Sequence, residues 1–152
     1  MKKLLALLAF MMIMATAFTQ KLEYVDGLYY KKGMLYTGLY VEYDDNGKLL
    51  IEQNIRNGLE HGLVTLYFPS GMKKEQREFN DGKKNGTWYT WNEQGIKVAE
   101  AGYSDDIKHG AWYIWNPQGV MLYEMHYTNG QKSGTWRQWD EAGKLVSERV
   151  YN

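Results

Sequence analysis

Gly38, Gly62, Gly86, Gly110 and Gly134 stand 24 residues apart, and so do Gly47, Gly71, Gly95, Gly119 and Gly143. Other registers keep the same step. Trp88, Trp112 and Trp136 share one, with Tyr40 and Val64 before them. Trp91, Trp115 and Trp139 share another, with Tyr43 and Tyr67 before them. Glu52, Glu100, Glu124 and Glu148 form a third, with Gln76 in the gap, and Ile55, Phe79, Tyr103, Tyr127 and Tyr151 close each unit. A fixed period without insertions is the mark of a repeat array, in which each unit contacts only its neighbours.

Each unit reads as a β-hairpin. In the third, Gly86 to Trp91 is one strand and residues 96–103 the other, joined by Asn92-Glu93-Gln94-Gly95. The equivalent turns begin at Asp44, Phe68, Asn116 and Asp140 and end on glycine. Asp or Asn first, Pro allowed second and Gly fourth is type I turn chemistry. Both prolines, Pro69 and Pro117, take that second position, where a fixed φ helps and no ladder N–H is lost. The units are joined by Asn57-Gly58, Asp81-Gly82 and Asn129-Gly130, the strongest short hairpin signal; Asp105-Asp106 replaces it once. The expected fold is therefore all-β: an elongated single-layer antiparallel meander of five 24-residue hairpin repeats at 38–152. A leading half-repeat at 21–37 carries short strands at 28–30 and 34–36. Equivalent residues should lie ~9.5 Å apart and the array should reach ~50 Å.

Alternation puts Thr87, Tyr89 and Trp91 on one face and Trp88 and Thr90 on the other, so neither face is purely polar. A single layer must hide apolar area by twist and ring-to-ring contact. The aromatic ladders read chiefly as structure, and an exposed recognition stripe is the sharper alternative. Met72 to Glu78 departs most from the pattern and reads as a solvated edge or local weak point.

Residues 1–20 read as a signal peptide. Lys2 and Lys3 precede an apolar run from Leu4 to Ala17, too short for a bilayer-spanning helix, and cleavage is expected after Ala17 or Thr19. The mature chain is then exported, to the periplasm, the outer surface or the medium. Losing Lys2 and Lys3 lowers the basic count from 18 to 16 against 18 acids, a net charge of −2. That balance argues against nucleic-acid binding through bulk charge, and no nucleic-acid partner is expected. The absence of cysteine excludes disulfides, thiolate zinc sites, a cysteine nucleophile and a lipoprotein anchor.

No catalytic, cofactor-binding or metal residue is expected, and the chain reads as a non-enzyme. His61 and His109 share a small-polar register and read as turn residues, ~19 Å apart, too far to share an ion. Glu100 and Glu124, ~9.5 Å apart, have acid–base spacing, but repetition of the register favours architecture, as acceptors for turn N–H groups or indoles. Lys83-Lys84 and similar pairs read as solvated. The candidate interaction residues are Tyr89, Trp91, Tyr113, Trp115 and Trp139, because broad rings dominate interfaces, beside the ladder of Glu52, Glu100, Glu124 and Glu148.

The stretches Asp81-Gly82-Lys83-Lys84-Asn85-Gly86-Thr87-Trp88 and Asn129-Gly130-Gln131-Lys132-Ser133-Gly134-Thr135-Trp136 resemble the MORN-repeat-variant family of YwqK-type bacterial antitoxins. The resemblance covers essentially the whole mature chain. It implies an elongated antiparallel sheet for protein or membrane-surface contacts and no catalytic residues. A weaker similarity, through Gly86-Thr87-Trp88-Tyr89, is to choline-binding repeats, whose period is shorter. The leading expectation is an exported scaffold binding a protein or envelope component; the alternative is an antitoxin or immunity protein, against which the signal segment weighs. A membrane surface is the second choice of partner, and the uncapped last strand predicts weak self-association.

Overall fold

The computed structural model describes residues 21–152, and the signal peptide inferred for residues 1–20 lies outside them. Every regular element among the described residues is a strand. β1 (Glu23–Val25), β2 (Leu28–Lys31) and β3 (Met34–Leu35) form a small leading sheet. Ten strands follow: β4 (Gly38–Tyr43), β5 (Leu49–Arg56), β6 (Leu59–Tyr67), β7 (Lys73–Asn80), β8 (Lys83–Trp91), β9 (Lys97–Ser104), β10 (Ile107–Trp115), β11 (Met121–Thr128), β12 (Gln131–Trp139) and β13 (Leu145–Tyr151). They pair antiparallel in chain order, the all-β hairpin meander that the period dictates. The leading segment adds one strand, β1, to the two expected there.

Two kinds of turn set this order. In the first, one side-chain oxygen holds the whole turn. Asn116 Oδ1 accepts the N–H groups of Gln118 and Val120 at 3.0 and 2.9 Å, and Asp44, Asn92 and Asp140 do the same. Phe68 has no such oxygen, yet backbone hydrogen bonds close its turn. In the second kind both residues are left-handed: Asn57, Asp81 and Asn129 at φ 50, 48 and 50°, each followed by glycine. This is the type I′ geometry that matches strand twist. Asp106 holds φ 69° without glycine's freedom. Its backbone N–H donates to Lys84 O at 2.9 Å, and its carboxylate accepts the Lys84 N–H at 2.8 Å. That second bond, which glycine cannot make, explains the substitution.

Little of the sheet is enclosed. Ile55, Val64 and Gln53 are buried where the leading sheet folds over one face of the first units. There Tyr29 N–H donates to Gly58 O at 2.8 Å, and Tyr29 lies against Gln53. A side chain at Gly58 would meet Leu35 at 2.7 Å and the Tyr29 carbonyl at 3.2 Å, in a left-handed conformation that favours glycine.

Three expectations need correction. The charged run lies in β7, an interior strand paired with β6 and β8, rather than at an edge. Its charges are matched locally: Arg77 Nε donates to Glu75 Oε2 at 2.8 Å, and the guanidinium stands 5.3 Å from the Trp88 ring centroid. His61 and His109 lie inside β6 and β10 rather than in turns, because the glycine after each carries a bulge that the strand continues through. Lys84 is half-buried against rings and is not simply solvated.

Candidate functional site

The cross-strand registers sort the aromatic ladders onto opposite faces. Trp88 and Trp112 both stand opposite Ala101, and Trp136 stands opposite Arg149. Tyr89 and Tyr113 both stand opposite Glu100, one residue out of phase and therefore on the other side.

On the first face the rings interleave. Phe79, Trp88, Tyr103, Trp112, Tyr127, Trp136 and Tyr151 form a continuous zigzag with centroids 5.1 to 5.4 Å apart. Their planes cross at 53 to 63°, the tilted to edge-on geometry that ring quadrupoles favour. Each indole N–H in this ladder is anchored to the preceding strand. Trp88, Trp112 and Trp136 donate to the carbonyls of Glu78, Gly102 and His126 at 3.0, 2.9 and 3.0 Å. Burial pushes the Tyr103 hydroxyl pKa up.

A lysine covers each Trp–Tyr pair. Lys84 lies 4.9 and 5.1 Å from Trp88 and Tyr103, Lys108 4.5 and 4.9 Å from Trp112 and Tyr127, and Lys132 4.4 and 5.2 Å from Trp136 and Tyr151. These are cation–π distances. The sequence reading missed this row. Its signal was present, since the three lysines are themselves 24 apart.

The second face gathers the candidate interaction residues. From β8 to β13 one row runs Tyr89, Glu100, Tyr113, Glu124, Arg137, Glu148, each residue opposite the next. Trp91 stacks beside Tyr89, and Trp115 packs beside Tyr113, both at 5.7 Å. Trp139 follows Arg137 by two on β12, in the same repeat register. Among the described residues, the indole N–H groups of Trp91, Trp115 and Trp139 find no acceptor and are not fully buried. Glu52 lies further along the same face, taking the Tyr67 hydroxyl at 3.2 Å.

The glutamates bind side chains rather than turn N–H groups or indoles, because they project from mid-strand and the indoles reach backbone carbonyls instead. Lys97 Nζ is 2.6 Å from Glu100 Oε2. Arg137 bridges Glu124 at 2.9 Å and Glu148 at 2.8 Å, and His126 lies 3.3 Å from Glu124. Burial works to raise the Glu124 pKa, but hydrogen bonds from Arg137 and His126 outweigh it and hold the carboxyl below its ordinary value.

A family model described as MORN repeat variant matches residues 36–57, 60–81, 108–129 and 132–152. The first two matches begin 24 residues apart, as do the last two, in step with the hairpins. The unit between them keeps the same strands, β8 and β9, and ends on the atypical Asp105-Asp106 turn. No curated protein matches the chain.

Proposed function

The chain belongs to the MORN-repeat-variant family, and from that premise we propose that it is a non-enzymatic, exported scaffold whose acidic aromatic face binds a protein or envelope component. One observation carries the reading. The two tryptophan ladders differ in how their polar atoms are used: one set of indoles is tied into the backbone, while the N–H groups of Trp91, Trp115 and Trp139 have no acceptor among the described residues. Broad rings with an unused donor, beside paired charges, have the composition of interface anchors. The engagement of Glu100, Glu124 and Glu148 by cationic side chains supports an architectural role for that row over acid–base work.

The test is affinity capture from an envelope extract with the chain lacking residues 1–20. Bound proteins should be retained by the parent chain and lost on Trp115→Ala, with melting little changed. Capture that survives Trp91→Ala, Trp115→Ala and Trp139→Ala together would overturn the reading. The YwqK-type resemblance makes a toxin the alternative partner, and its recovery in the same capture would select the immunity role.

A further inference from the structure

Lys97 shows what the acidic face accepts. Its ammonium lies 2.6 Å from Glu100 Oε2, 4.7 Å from the Trp115 ring centroid and 5.6 Å from that of Tyr89. A carboxylate and two ring faces around one cation is the chemistry of an ammonium cage. Here the chain fills the cage with its own side chain.

The period builds the cage again one unit later. Adding 24 to each position gives Tyr113 for Tyr89, Glu124 for Glu100 and Trp139 for Trp115, but Met121 for Lys97. The rings and the carboxylate are retained and the lysine is lost, its carboxylate being met instead by Arg137 at 2.9 Å and His126 at 3.3 Å. One unit earlier the lysine is kept and the frame is reduced: Lys73 contacts Gln76 at 3.3 Å, with Thr65 in the tyrosine register and Trp91 in the tryptophan register. Charge points the same way. Arg137 is shared between Glu124 and Glu148, so two carboxylates face one guanidinium and one negative charge stays uncompensated. His126 also faces Glu124 and cancels that charge only when protonated.

We propose that the frame of Tyr113, Glu124 and Trp139 is a binding site for the side-chain ammonium of a lysine on a protein partner. This rests on the scaffold reading and names the chemistry its partner presents. The incoming lysine takes the place that Lys97 holds in the unit before, with Met121 flanking its alkyl stem and Glu124 meeting its charge. Two rings and a carboxylate distinguish it from an uncharged chain of the same length.

The probe is the peptide acetyl-Gly-Lys-Gly-amide, titrated into the full chain while the indole N–H signals of Trp115 and Trp139 are followed by NMR. The Trp139 signal should shift saturably, and the norleucine counterpart should bind about tenfold more weakly. Met121→Lys, which supplies an internal ammonium, should abolish the shift, and Lys97→Met should add a second responsive site at Trp115. Trp139→Ala, with melting as its folding check, should also abolish binding. No saturable shift, equal binding of the norleucine peptide, or an unchanged response in Met121→Lys would each overturn the site. Lysine-peptide binding with capture that survives the triple tryptophan substitution would sustain the site and overturn the scaffold reading. Capture lost in the triple substitution, without lysine-peptide binding, would do the reverse.

Discussion

The two faces of this sheet carry similar numbers of rings and use them differently. On one, Trp88, Trp112 and Trp136 interleave with Tyr103, Tyr127 and Tyr151, lock their N–H groups onto carbonyls and lie under lysines. On the other, among the described residues, the ring contacts of Trp91 and Trp115 are with the tyrosine two residues before them on their own strand, Lys97 lies over Trp115, and the rows are separated by charged side chains. A single-layer sheet has no second layer to bury its side chains. One face replaces the missing layer with ring-on-ring contact between units, and the other does not.

The interleaved face is most vulnerable at the backbone that positions it. A methyl group on Gly102 would meet the His109 carbonyl at 2.1 Å, where the β10 bulge crosses β9 and lets Trp112 reach the Gly102 carbonyl. Gly102→Ala should destabilise the fold by about 2 kcal/mol, read by chemical denaturation. An unchanged midpoint would mean the bulge moves freely.

The acidic face should respond to pH instead. The Glu124 pKa in the fold lies below its ordinary value of 4.5. Its contribution is therefore fully present above that pH and lost as pH falls through the depressed folded value. Glu60, whose pKa burial raises, works in the opposite sense, gaining stability as pH falls through its folded value. Glu124→Gln should flatten the acid limb of the stability curve by roughly 1 kcal/mol, the size of a partly exposed pair. An identical acid limb in both proteins would remove the Arg137 bridge from the account.

The smallest effect is expected from the lysine row. Lys108→Met keeps the alkyl stem and removes the cation over Trp112 and Tyr127, at a cost of about 0.5 kcal/mol. Stabilisation by the substitution would make that row a burden rather than a support.

The fold was legible because spacing, turn chemistry and alternation all act locally. Asn-Gly pairs, aspartate-led turns and period-two faces each determine a few residues, and repetition multiplies the signal. The assignment of Tyr89 and Trp91 to one face and Trp88 to the other followed from alternation alone. The roles within each face depended on three-dimensional neighbours. Nothing in the sequence says that Trp112 reaches Gly102 O, since this needs the bulge at Gly110, nor that Lys84 lies over Tyr103, a residue from the next strand. The charged β7 looked like an edge because side-chain composition reports solvation, whereas interior position follows from backbone pairing on both sides.

The division of labour between the faces is tested most directly on one strand. Trp112 and Trp115 are both on β10, three residues apart and on opposite faces. The stability of Trp112→Ala and Trp115→Ala should be measured side by side by denaturant unfolding. Trp112→Ala should lose about 3 kcal/mol, from an emptied ladder position and an orphaned Gly102 carbonyl. Trp115→Ala should lose about 1 kcal/mol or less, the range of a partly exposed cation–π contact. Equal losses, or a larger one at Trp115, would contradict the assignment of structure to one face and recognition to the other.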